Sequence, residues 1–127
     1  MRRGLKLSPH FVAWEFIDRR AGRMPPDRSL DALRRLCGGG LEHLRAEFGP
    51  VTITSGFRTP TTNRVVGGAP KSRHLYLTFP GEVAADVVCK RGNPVQWFQH
   101  LDQSWGGGLG LYDSHIHLDV RPYRARW

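Results

Sequence analysis

Eight consecutive residues, Asp113-Ser114-His115-Ile116-His117-Leu118-Asp119-Val120, constrain this chain more than any other stretch. A β-strand sends successive side chains to opposite faces. A strand here therefore puts Ile116, Leu118 and Val120 on one face and Asp113, His115, His117 and Asp119 on the other. The first face suits a core. The second gathers imidazole nitrogens and carboxylate oxygens, which are metal donors, where an ordinary wet face carries Thr, Lys, Ser or Glu. An HxH pair alone also fits an exposed edge strand with incidental histidines, so its meaning depends on the rest of the chain.

Asp86 supplies the next constraint, embedded in Val83-Ala84-Ala85-Asp86-Val87-Val88. A lone carboxylate in an apolar strand must be paired, hydrogen-bonded or metal-bound to stay ionised. One account is a structural ion pair with one of the many arginines. The other joins Asp86 to His74 and His117 as two imidazoles and one carboxylate, a zinc set that leaves a fourth position for water and suits metal-assisted hydrolysis. Val51-Thr52-Ile53-Thr54 reads as a β-branched strand, and Arg58 follows its end within Ser55-Gly56-Phe57-Arg58-Thr59-Pro60. Clefts open at strand ends, and a guanidinium there is a surface charge or a fork of donors for a carboxylate or oxyanion.

The remaining elements are packing elements. Residues 8–19 predict a short helix, with Ser8 as cap, Pro9 in the first turn and Phe11, Trp14, Phe16 and Ile17 as apolar anchors; residues 20–28 predict a loop. From Ser29, Leu30, Leu33, Cys37, Leu41, Leu44 and Phe48 keep helical phase across Gly38-Gly39-Gly40. That predicts one long helix with a weak or kinked middle, stopped by Gly49-Pro50. Residues 60–66 predict one or two helical turns. Asn93-Pro94 opens a capped helix directing Trp97, Phe98 and Leu101 to the core. The glycines of 106–110 permit close backbone approach before the last strand, and residues 122–127 carry no assignment.

At 127 residues and 39% hydrophobic composition, the chain reads as one domain, 1–127, that needs no disulfide. Cys37 and Cys89 read as reduced core thiols, since neither lies in a CxxC or Cys-His spacing. No apolar run is long enough to span a membrane. The charged start lacks an apolar segment after it, so synthesis and folding in a cytosol without a signal peptide are expected. Nineteen Lys and Arg against eleven Asp and Glu give +8, which favours an anionic partner such as a nucleic acid or a bacterial wall. The arginines are scattered, and no nucleic-acid motif accompanies them, so no dedicated nucleic-acid role is expected.

Taken in order, Ser55-Gly56-Phe57-Arg58-Thr59-Pro60, Asn63, Gly67-Gly68-Ala69, Ser72-Arg73-His74-Leu75, Ala84-Ala85-Asp86 and His117-Leu118-Asp119-Val120-Arg121 resemble the motifs of the M15 family of zinc D-Ala-D-Ala carboxypeptidases. That family of murein peptidases includes bacterial carboxypeptidases and phage endolysins. The resemblance extends to Pro9-His10-Phe11 and Glu15-Phe16, nearly the whole chain. It implies an α+β fold of the D-Ala-D-Ala carboxypeptidase/Hedgehog-like kind, a small antiparallel sheet with helices packed on one side and one zinc ion in an open groove. Carried over, it implies His74, Asp86 and His117 as ligands, Arg58 and Ser72 on the substrate, and His115 beside the metal. The implied partner is peptidoglycan stem or cross-link peptide, cut by a monomer at the cell wall after release or from a phage particle.

Two departures accompany the resemblance. The family usually spaces its first His and its Asp seven residues apart, whereas His74 and Asp86 are separated by an insertion that includes Thr78-Phe79-Pro80-Gly81; a longer surface loop costs little and can alter the groove. The family commonly places an acidic general base three residues before the last ligand, where this chain has Ser114. Asp113 and His115 are the neighbouring candidates, both on the metal face if the strand is regular. A second reading keeps the fold and the zinc without turnover, as a wall-binding or virion structural module. A third is a basic nucleic-acid binder.

Overall fold

In the computed structural model, which describes residues 1–127, the helix expected from Ser29 runs without a break but changes its winding midway. α1 (Leu30–Arg35) passes into a π-helical stretch, Leu36–Leu41, and then into α2 (Glu42–Phe48). The wider turns hold the three glycines, and Gly40 shows why one is needed: a Cβ there would stand 3.0 Å from the Leu118 side chain and 3.2 Å from the Trp105 ring. The helix therefore lies close against the sheet at the point where its backbone is loosest. Gly49, at φ 79°, ends it as expected.

The N-terminal helix expected over 8–19 does not form. β1 (Lys6–Ser8) and β2 (Phe11–Val12) pair as a short antiparallel ribbon, followed by a single 3-10 turn at Ala13–Phe16. The cap is drawn away from the helix: the Ser8 hydroxyl donates to Glu42 at 2.6 Å, as does the His10 backbone N–H at 2.8 Å. Phe11 and Phe16 are buried as anchors. Trp14 is exposed, under the Arg3 guanidinium.

The main sheet has five strands in the order β3-β4-β6-β5-β7: β3 (Val51–Ser55), β4 (Ala84–Cys89), β5 (Gly108–Leu111), β6 (Ile116–Asp119) and β7 (Ala125–Arg126). All pairs are antiparallel except β5 with β7, which is parallel, so the unassigned tail is an edge strand. α3 (Pro60–Val65) follows β3, and α4 (Pro94–Asp102) carries a capping box between Asn93 and Gln96. The long helix and α4 pack against the sheet and each other. Ile53, Ala85, Val87, Leu109, Ile116 and Leu118 point into this layer and join one core of 21 buried side chains. Burying each such aliphatic side chain contributes about 1.5–3 kcal/mol. The alternation of β4 and β6 thereby leaves Asp86, His117 and Asp119 on the far face.

That face is roofed by the segment between β3 and β4. Phe57 N–H donates to the Phe16 carbonyl at 2.9 Å, and Gly56 presses so closely on Phe16 that a Cβ would lie 2.8 Å from its Cα. Gly56→Ala is therefore expected to destabilise the fold by about 1–3 kcal/mol, read as a lower denaturation midpoint with an unchanged m-value.

Candidate metal centre

The centre is built on one row across the sheet. Ser55 on β3, Asp86 on β4, His117 on β6 and Gly110 on β5 are direct cross-strand partners. Asp86 and His117 thus stand side by side, about one strand spacing of 4.8 Å apart. The register slips at Thr54, a bulge between Ile53 and Ser55, and this turns Ser55 onto the same face as Asp86. His74 comes from the roof. It is 3% exposed, and its backbone carbonyl accepts from the Arg58 N–H at 2.8 Å. Arg58 is held by Ser55 Oγ at 3.0 Å and Asn63 Oδ1 at 3.3 Å.

The donor atoms of His74, Asp86 and His117 lie within 4.8 Å of one another. Each imidazole spends one nitrogen on an orienting partner. His74 Nδ1 lies 2.7 Å from the Gly56 carbonyl, which fixes the N–H there and leaves Nε2 with a lone pair. His117 Nε2 lies 2.8 Å from Asp119 Oδ2, which leaves Nδ1 facing inward. These tautomers follow from the partners, since a carbonyl can only accept. His74 Nε2 and His117 Nδ1 approach the same oxygen, Asp86 Oδ1, at 3.2 and 3.1 Å. His74 Nε2 is buried and has no hydrogen bond with acceptable geometry. A buried, unpartnered nitrogen and a carboxylate oxygen shared by two imidazoles are what a divalent cation satisfies. The donor set fits zinc.

The competing account of Asp86 is present as well. Its other oxygen, Oδ2, lies 3.3 Å from Arg58 Nη2, so the carboxylate divides its two oxygens between the guanidinium and the imidazoles. Burial pushes the Asp86 carboxyl up, but the two imidazoles facing it, His117 and then His74, outweigh burial and hold the group well below the usual range. Burial lowers His74 more than Asp86 raises it, so that ring is held neutral. His117 goes the other way: burial lowers it, but Asp119 and Asp86 together raise it above the ordinary imidazole value of 6.5. Burial raises Asp119 too, and Arg121 and His117 bring it down to about 2.

A proton and a divalent ion compete for the same lone pair on His117 Nδ1. Because that ring titrates above 6.5, zinc affinity is expected to rise with pH through neutrality and level off once His117 is neutral. In the steep region the gain approaches about tenfold per pH unit, one proton being released. Competition titrations with a chromogenic chelator at several pH values check this. Affinity independent of pH across that range contradicts it.

The groove above the row has a volume of about 500 Å³. Arg58, Ser72, His115, Arg121 and Trp127 line it with the three donors. Ser72 Oγ accepts from the His74 N–H at 3.2 Å, so it shapes the His74 loop as well as facing the groove. His115 stacks on Tyr112, with ring centroids 4.6 Å apart, and its Nδ1 lies 3.0 Å from Ser114 Oγ.

Asp113 is not brought to the groove. The strand expected over 113–120 is regular only over 116–119; Asp113 and Ser114 are exposed in the β5–β6 bend, where alternation no longer holds. Asp113 lines a separate hollow with Asn93 and Gln96. The insertion after His74 does not cover the groove either. Leu75, Tyr76 and Val83 turn into the core, where Tyr76 packs on Phe57.

From sequence, Asp119 falls on the metal-donor face without a role of its own, and Trp127 is unassigned. Asp119 is fully buried, accepts two bonds from Arg121 at 2.7 and 2.6 Å and one from the Gly108 N–H at 3.0 Å, and orients His117. Its position two residues after His117, on the same face, was the available signal. Trp127 lies 5.1 Å from His117, ring to ring, and nothing in the sequence placed it there.

The family model described as Peptidase M15 matches residues 12–119. No curated protein matches the chain.

Proposed function

Because this chain belongs to the peptidase M15 family, we propose that it is a zinc-dependent peptidase acting on peptidoglycan stem or cross-link peptides. The observation that carries the reading is the convergence of His74, Asp86 and His117 in an open groove, each imidazole oriented by a partner of its own. His74, Asp86 and His117 would hold the zinc, which when bound would supply Lewis-acid polarisation of the scissile carbonyl and a neutral-pH nucleophile from water.

The protein's own groups do the rest. Arg58, fixed by Ser55, Asn63 and Asp86, directs its remaining N–H donors into the groove, where they bind the substrate carboxylate or the oxygen that gains charge in the transition state. His115 is the proton-transfer group. It lines the groove beside His117, is stacked on Tyr112 and held by Ser114, and it stands in for the carboxylate that Ser114 replaces. Asp119 keeps His117 oriented. Lys71 adds positive charge at the groove, where Arg73 and Arg121 also stand, paired with Glu82 and Asp119, and this suits anionic wall peptides.

No helix of the structure is long and apolar enough to cross a membrane. We place the enzyme at the cell wall after release, or in a phage particle, as a monomer with no nucleic-acid role. Muropeptides incubated with zinc-loaded protein are expected to release peptide or D-alanine. A chelator should stop the release and added zinc restore it. Full zinc occupancy with no product from any stem or cross-linked peptide would instead favour a wall-binding module that has lost turnover.

A further inference from the structure

The groove is chemically polarised across the strands. Arg58, held by Ser55, stands at the β3 end of the row, and Lys71 and Arg73 line the groove as well. At the other end, over β5, the lining is mainly aromatic, Tyr112, His115 and Trp127, beside an Arg121 whose charge is paired with Asp119. The sheet order puts Asp86 and His117 between the two ends. β3 and β5 are three strand spacings apart, about 14 Å, enough for a substrate that reaches both ends across the metal donors.

Trp127 is built into this position. Its backbone is tied to β5 on both sides, by the Leu111 N–H to its carbonyl at 2.8 Å and by its own N–H to the Leu109 carbonyl at 3.2 Å. Arg126 anchors the strand from the other side, with Nε at 2.7 Å from Asp102. The indole lies over Gly110, where a Cβ would come 2.5 Å from Nε1, so the strand beneath has room for this ring and no side chain of its own. Nε1–H donates to Tyr112 Oη at 2.9 Å, and the Arg121 guanidinium lies 5.1 Å from the ring centre. The residue is nonetheless 47% exposed and is outside the apolar core. A tryptophan fixed this firmly, nearly half exposed and lining the groove beside a metal ligand, offers apolar ring surface to whatever fills the groove.

Resting on the peptidase reading above, we propose that Trp127 is a specificity-determining residue: its exposed ring surface takes the apolar side chain next to the scissile bond, while the rest of the substrate crosses the metal donors toward Arg58 at the other end of the row.

The test uses two peptides that differ only in alanine or glycine at the residue contributing the acyl group, with wild type, Trp127→Ala and Trp127→Phe, all zinc-loaded. Trp127→Ala is expected to raise KM for the alanine peptide roughly tenfold, with little change for the glycine peptide. Trp127→Phe is expected to recover most of the loss, with zinc content and kcat near wild type in both variants. A readout independent of turnover is calorimetric binding of the two cleavage products, where the alanine preference should vanish in Trp127→Ala. Equal loss on both peptides, or an alanine preference that survives in Trp127→Ala, overturns the proposal while leaving the peptidase reading intact. A wild-type chain that neither cleaves nor binds either peptide overturns both.

Discussion

Asp86→Ala is expected to abolish stoichiometric zinc and, with it, all chelator-sensitive peptide hydrolysis. Asp86 Oδ1 is the only carboxylate oxygen in the three-donor set, and it faces both imidazoles at 3.1–3.2 Å. Without it, two neutral nitrogens remain near a guanidinium that repels a divalent cation. The metal-free fold also loses stability, because Arg58 would be left without its carboxylate and His117 with only one of its two, Asp119. Breaking such a buried pair costs about 3–5 kcal/mol. Asp86→Asn separates the two effects. It keeps the shape and a hydrogen-bond acceptor for Arg58, and is expected to refold better than Asp86→Ala while binding zinc no better. Elemental analysis of both variants beside denaturation curves measures this; stoichiometric zinc in Asp86→Asn counts against Asp86 as a ligand.

The second large effect concerns Arg58. Arg58→Ala is expected to lower kcat/KM by about 10²–10³, the range for removing one preorganised donor from a developing negative charge. Zinc content should stay at wild-type level, since removing a nearby cation does not weaken a cation site. Arg58→Lys should recover little. The three partners of Arg58, Ser55 Oγ, Asn63 Oδ1 and Asp86 Oδ2, are met by three different nitrogens of a planar fork, which an ammonium cannot reproduce. Kinetics on one defined stem peptide decide the matter: a change confined to KM, with kcat unaltered, assigns Arg58 to ground-state binding alone.

What the sequence disclosed of this site follows the physics of each residue. His117 and Asp86 were legible because each lies in a strand whose apolar neighbours fix the opposite face, and the two turn out to be direct cross-strand partners. His74 was legible only through its motif. It belongs to an irregular segment with no periodicity, and its placement depends on the Gly56 carbonyl, eighteen residues earlier. The long helix was readable from its stripe even though its middle is π-helical, because hydrophobic phase survives a local change in winding. The N-terminal helix was misread because Ser8 and His10 have a stronger partner in Glu42, more than thirty residues away, which no local capping rule sees. Asp113 was misplaced by extending strand alternation into a bend. Trp127 was out of reach, because the pairing of β7 with β5 is a tertiary event with only two residues on its strand.

The most direct measurement is zinc K-edge X-ray absorption on the loaded wild-type chain. The predicted spectrum shows about one zinc with nitrogen and oxygen scatterers near 2.0–2.1 Å, the multiple-scattering pattern of two imidazoles and no sulphur shell. A chain that holds no zinc when supplied with it, or a zinc bound through thiolate sulphur near 2.3 Å, would contradict the account.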